Sequence, residues 1–194
     1  MKGYLKISAI LASIALVCAA ILAALNMLTS SVIAKNDEKK ETETIQAIYD
    51  SYDNSKSEIK TFDEGTITKK IYAKDSSGKE LGTIYIVTGK NAYGVITLMV
   101  AIAPNKTVHQ VEFLENGQSF AGTVNSHVKS NYNSSKEEVY ELNPYSDNEE
   151  IEIGDLTSDE LGAINVKCGA TFGATLVKEL VTAALDDATR EEAK

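Results

Sequence analysis

The 194-residue chain has no tryptophan, two prolines and two cysteines. Cys18 and Cys168 are too few for a disulfide framework or a cysteine-built zinc site. Without tryptophan there is no indole ligand platform, and two prolines make no proline-rich linker. His109 and His127 are the only histidines, and neither has a cysteine or second histidine at metal-ligand spacing. His109, between Val108 and Gln110, reads as an exposed strand position. No phosphate loop, Gly-x-Ser-x-Gly or His-Glu-x-x-His pattern occurs. The acidic stretch 147–160 lacks the alternating ligands and central glycine of an EF-hand and reads as a solvated loop. Positive charge is scarce too. Residues 35–194 hold all 28 acidic residues against 17 of the 19 basic ones, a net of −11. Nucleic-acid binding needs clustered lysine and arginine, so that class is excluded. What is present is ordinary for a globular chain: 43% hydrophobic and 24% charged residues, enough to bury a core.

Charge is entirely missing from Ile7 to Ala34. Residues 7–28 read ISAILASIALVCAAILAALNML, and about 20 apolar residues suffice to cross a hydrocarbon core. Lys2 and Lys6 precede the run, which favours a cytoplasmic N-terminus and an acidic domain outside the cytoplasm. The run is too long for a secretory signal core, and Val32-Ile33-Ala34 is a poor cleavage site. A lipoprotein signal at Cys18 would want a smaller residue than Val17 before it. Cys18 reads as a small membrane-buried hydrophobe.

The expected organisation is a membrane anchor over 1–34, a polar spacer over 35–62 and an extracytoplasmic domain over 63–194. Ile45, Ile48, Tyr49 and Tyr52 at helical spacing predict a short helix near 40–53. Four strands follow: 66–73, with Ile67, Lys69 and Ile71 on one face; 81–88; 95–103, apolar enough to be central; and 108–114. Their short connections favour an antiparallel meander. Phe120, Val124 and Val128 predict a helix over 119–131, residues 137–155 an acidic loop, and Phe172, Leu176, Val177, Leu180, Val181 and Ala184 a last helix over 172–187. The fold class is α+β.

The segment that carries chemistry is Asn165-Val-Lys-Cys-Gly-Ala-Thr-Phe-Gly-Ala-Thr175. It places small residues at the start of an amphipathic helix, where backbone N–H groups lack partners and the dipole is positive. Gly169 and Ala170 let a bulky group approach the backbone, Lys167 adds positive charge, and Thr171 offers a hydroxyl. Thr171 reads equally as a helix N-cap.

This pattern resembles the FMN-binding domain family of the Rnf complex G subunit and the C subunit of sodium-translocating NADH:quinone reductase. In that family the last threonine of Asp-x-x-Ser/Thr-Gly-Ala-Thr is esterified to the FMN phosphate by a flavin transferase that uses FAD. The resemblance implies that Thr171 carries FMN through a phosphodiester. Gly169 and Ala170 agree with the motif, while Asn165 stands for its Asp and Cys168 for its Ser or Thr. Thr175, in the second Gly-Ala-Thr, would need Asp at 169 and Ser or Thr at 172, which are Gly and Phe. Tyr93-Gly94 resembles the family's aromatic-Gly entry to its long apolar strand. Glu115-Asn116-Gly117-Gln118-Ser119-Phe120-Ala121-Gly122 occupies the place of its Glu-Thr-Pro-Gly-Leu-Gly stretch, keeping Glu115 and a glycine but not the proline. Asn116 and Gln118 would bond the polar edge of the flavin or serve as turn and capping residues. Tyr93 would stack on the ring or pack at a strand end. The implied role is an electron-transfer subunit of an ion-translocating ferredoxin:NAD oxidoreductase, partnered by the other membrane subunits. A free-standing anchored flavoprotein and a flavin-free binding module are the alternatives.

Overall fold

The structure is a computed structural model that describes residues 2–133 and 156–191. Its elements are α1 (Lys2–Ile48), β1 (Glu58–Thr61), β2 (Ile67–Lys74), β3 (Glu80–Asn91), β4 (Gly94–Ile102), β5 (Val108–Asn116), α2 (Ala121–Tyr132), α3 (Ser158–Ala163) and α4 (Thr171–Glu191). The chain divides into two units, Met1–Glu43 and Thr44–Lys194. The expected acidic loop over 137–155 lies outside the described residues.

The first unit is helical. Its large apolar side chains, including Ile10, Leu16, Leu22 and Leu28, are exposed, as is Cys18. Among the described residues this is one helix long and apolar enough to cross a membrane. The hydroxyls of Thr29 and Ser30 donate back to the carbonyls of Leu25 and Asn26. Such internal satisfaction is what a polar side chain needs in hydrocarbon. The first part of the polar spacer is helical as well: α1 runs on to Ile48, with Lys39 and Glu43 paired at 3.5 Å.

The second unit is built on a five-stranded sheet in the order β1-β2-β3-β4-β5, antiparallel throughout. The expected meander is present with one strand more. β1 had no sequence signal because all four of its residues are exposed, so it shows no hydrophobic alternation. β4 is buried on both faces, as its apolar run requires. Ile96, Leu98, Val100 and Ile102 face α2 and α4, together with Tyr85 and Val87. Met99 and Ala101 join Ile84, Ile86, Ile71 and Ala73 on the opposite face, covered by Ile45, Ile48 and Tyr52. Each fully buried aliphatic side chain contributes about 1.5–3 kcal/mol.

The expected common face for Ile67, Lys69 and Ile71 is corrected. A register shift between Ile67 and Lys69 inverts the alternation. Ile67 therefore packs on the helix side and Ile71 on the other. His109 is half-buried rather than exposed, with its ring stacked on Tyr49 at 5.5 Å. The helix expected near 40–53 ends at Ile48, and Tyr52 lies beyond it in a bridge to Asp75.

The last helix lies over the sheet at Gly89. A β-carbon there would stand 2.9 Å from Leu176 Cδ1 and 3.0 Å from Leu180 Cδ2. The far end is held by charge. Lys70, on β2, is buried and pairs with Asp187 and, at 2.9 Å, with Glu191. Tyr72 donates its hydroxyl to the same Glu191 carboxylate at 2.9 Å.

Candidate functional site

At its other end, α4 opens on a cleft of about 270 Å³. Four pieces of chain wall it: Tyr93 from the β3–β4 turn, Gln118 and Phe120 from the β5–α2 connection, Val124 from α2, and residues 169–173. The local sequence explains each wall.

Tyr93 sits in the two-residue connection between Asn91 and Gly94. Gly94 has φ +144°, and a β-carbon would fall 2.0 Å from the Gly117 carbonyl oxygen. Only glycine fits here, in both conformation and space. This close approach presses the β3–β4 turn against the β5–α2 connection. Gly173 does the same between helices, because its β-carbon would lie 2.6 Å from Val124 Cγ2.

The segment before α4 is fixed from below. Lys178 Nζ donates to the carbonyls of Gly162 at 2.7 Å and Ile164 at 3.1 Å. Asn165 Oδ1 then accepts from the Lys167 N–H at 3.0 Å. That role needs only an oxygen, so asparagine fills it as aspartate would. Gly169 adopts φ +78°, and the space where its side chain would stand is open.

The first intrahelical bonds of α4 run from Gly173 N and Ala174 N to the Ala170 carbonyl. Ala170 is therefore the capping position and Thr171 the first helical residue, which corrects the N-cap alternative for Thr171. Its hydroxyl makes no hydrogen bond among the described residues, and the residue is exposed on the cleft rim. The Thr171 and Phe172 N–H groups precede the first of these bonds and lack an intrahelical acceptor.

Three aromatic rings stand exposed around the opening: Tyr93 at 45%, Phe120 at 62% and Phe172 at 65%. Tyr93 and Phe172 are stacked, centroids 5.3 Å apart and planes 29° off parallel. A cleft rimmed by exposed rings suits a flat aromatic ligand.

The cleft unites Tyr93, Gln118, Gly169, Ala170 and Thr171 among the expected residues. Asn165, Lys167, Cys168, Gly94, Glu115 and Asn116 do not line it. Asn116 does the turn and capping work weighed above: its Nδ2 donates to Asn125 Oδ1 at 2.8 Å and to the Ala121 carbonyl at 3.3 Å. Cys168 is half-buried; after burial, its proximity is the second influence that pushes the Tyr132 phenol upward. Phe120 and Phe172 were expected as helix-stripe positions, Phe120 also within the stretch 115–122. Their periodicity matched a core face, and nothing local marks a stripe residue that overhangs the helix end.

With the geometry in hand, the N-terminal segment is informative. Residues 2–48 match the family model described as RnfG N-terminal region. The chain thus resembles the RnfG subunit over a segment that ends before the sheet and the cleft begin. A search of curated proteins finds no match.

Proposed function

We propose that the chain is a membrane-anchored electron carrier of an Rnf-like complex, with FMN held through a phosphodiester at Thr171. The observation that carries this reading is the Thr171 hydroxyl, exposed and without a hydrogen bond among the described residues, at the open first turn of α4 on an aromatic-rimmed cleft. The RnfG-like N-terminal segment supports the complex.

The residues present fit the group. The first-turn N–H groups and the helix dipole favour a phosphate beside Thr171. The open space at Gly169 leaves room for it. Tyr93, Phe120 and Phe172 offer faces to a planar ring. When bound, FMN supplies a carrier that takes up and releases one or two electrons. The chain's own residues would anchor the phosphate at Thr171 and orient the ring against Tyr93, Phe120 and Phe172. Attachment forms a bond from Thr171 Oγ1 to the flavin phosphorus of FAD; AMP leaves, and the hydroxyl proton passes to solvent. No diffusible substrate is required of the site. The domain stands outside the cytoplasm, where an ester bond prevents loss of the cofactor by dilution.

Intact mass of the full chain, made together with a flavin transferase, tests the reading. The wild type and Thr175→Ala should carry one FMN increment, and Thr171→Ala none. An adduct mapped to Thr175, or an unmodified wild type, would overturn it.

A further inference from the structure

Gln118 is 7% exposed yet lines the cleft. Its Nε2 donates to the Gly94 carbonyl at 2.8 Å and to Asn91 Oδ1 at 3.1 Å. The orientation of an amide is normally ambiguous, but here backbone groups settle it. The Tyr93 N–H must donate, and it meets Asn91 at 2.8 Å, so that atom is Oδ1. The other Asn91 atom faces the Phe172 carbonyl at 3.1 Å and must be Nδ2. The Gln118 atom facing both Asn91 Oδ1 and the Gly94 carbonyl must then be Nε2. Both Gln118 donors are consumed. Its Oε1 receives no hydrogen bond from any described residue and lies 3.4 Å from where a Gly173 β-carbon would stand.

We infer that Asn91 is a positioning residue: by holding the Gln118 amide in one orientation, it makes Gln118 Oε1 a fixed acceptor in the cleft wall for a ring edge that donates N–H. The same asparagine ties Tyr93 and Phe172 together, so one side chain sets the acceptor and two of the aromatic walls. Without Asn91, the Gln118 amide keeps one anchor, the Gly94 carbonyl, and gains freedom to turn. Oε1 is not sealed from solvent, so a ligand N–H gains only the net worth of one hydrogen bond over water there, about 0.5–1.5 kcal/mol. The inference rests on the flavin reading above, since oxidised FMN carries a ring N–H that ionises at alkaline pH with a change in absorbance.

The test uses the full chain, flavinylated and solubilised in detergent, with intact mass taken first. Asn91→Ala, Gln118→Leu and the double variant are titrated from pH 7 upward, following flavin absorbance. Both single variants should load flavin, and their ring N–H should ionise about one pH unit lower than in wild type, as loss of one hydrogen bond requires. The double variant should move no further than Gln118→Leu alone, because Asn91 acts through Gln118. Asn91→Ser replaces Asn91→Ala if the latter does not accumulate folded protein. Loaded variants that titrate as wild type does would sink the positioning role and leave the flavin reading standing. Additive shifts would mean that Asn91 touches the ring itself, which also overturns it. A wild type without the mass increment removes both.

Discussion

At the scale of the residue, the site depends on side chains that are small or missing. Gly173 is the sharpest case among the helices. Gly173→Ala would drive a methyl to 2.6 Å from Val124 Cγ2, and valine has little freedom to yield. The expected cost is about 1–2 kcal/mol after the better helix propensity of alanine is counted. A lower urea midpoint should report it, and pairing the change with Val124→Ala should cost less than the two singles together. His127, on α2, matters for charge rather than size. It is 2% exposed, and burial pushes its pKa down to about 4. Asn131 Nδ2 lies 3.2 Å from its Nδ1, which assigns the proton to Nε2, an atom with no partner among the described residues. Because the unfolded chain takes up a proton near pH 6.5 and the native state only near 4, stability should fall as pH drops through that window. The loss is roughly 3 kcal/mol at most. His127→Phe should flatten the decline when urea midpoints are compared between pH 6.5 and 4; an unchanged slope would assign the acid sensitivity elsewhere. The small residues around Thr171 were legible in sequence, since Gly-Ala before an amphipathic stripe has a direct backbone meaning. Asn91 was not: it contacts residues 27 and 81 positions away, and no local pattern encodes such a partner.

At the scale of the element, α4 is held differently at its two ends, and the cleft lies at the end without ion pairs. The C-terminal end is secured by Lys70 with Asp187 and Glu191. Burial acts to lower the Lys70 pKa, but hydrogen bonds to the two carboxylates outweigh it and the net direction is up. For Glu191, burial acts to raise the pKa, but the bonds from Lys70 and Tyr72 prevail and hold it below its ordinary 4.5. The sign follows: Glu191 stabilises fully above pH 4.5, and its contribution fades as pH falls through the lower native value. Lys70 stabilises fully below 10.5 and loses its contribution as pH rises through its elevated native value. Lys70→Met should destabilise by about 1–2 kcal/mol, less than for a sealed pair because both carboxylates are partly exposed. Glu191→Gln should blunt the acid limb below pH 4.5 while leaving the His127 window intact. Thermal melts across that range distinguish the two groups. Strands β2 to β5 and helix α4 were readable because half-buried and fully buried elements write their burial into composition. β1 and α3 were not readable. One is exposed on every residue, and the other is six residues long, set by a Thr157–Glu160 capping box rather than by a stripe.

At the scale of the whole molecule, a charge-free run over 7–34 precedes an acidic domain, and Lys2 and Lys6 lie before that run. The positive-inside tendency then sets the topology proposed here. Protease added to intact spheroplasts should digest the region from residue 44 onward, whereas inverted vesicles should protect it; the reverse pattern would place the cleft in the cytoplasm. Sequence alone conveyed the membrane-length helix, because a charge-free apolar run of that length leaves few physical alternatives. It conveyed a short helix near 40–53 but not that this helix is continuous with the apolar one, since 35–44 has no apolar periodicity to join them. One feature of the sheet reaches further than its size suggests. Gly89 lies beneath Leu176 and Leu180, with no wall of the cleft in contact with its absent side chain. A methyl at that position would act as a shim, lifting the helix by a few tenths of an ångström and carrying the threonine hydroxyl with it. On the flavin reading proposed above, the grip on the ring would be adjustable from the underside of the helix by one carbon atom.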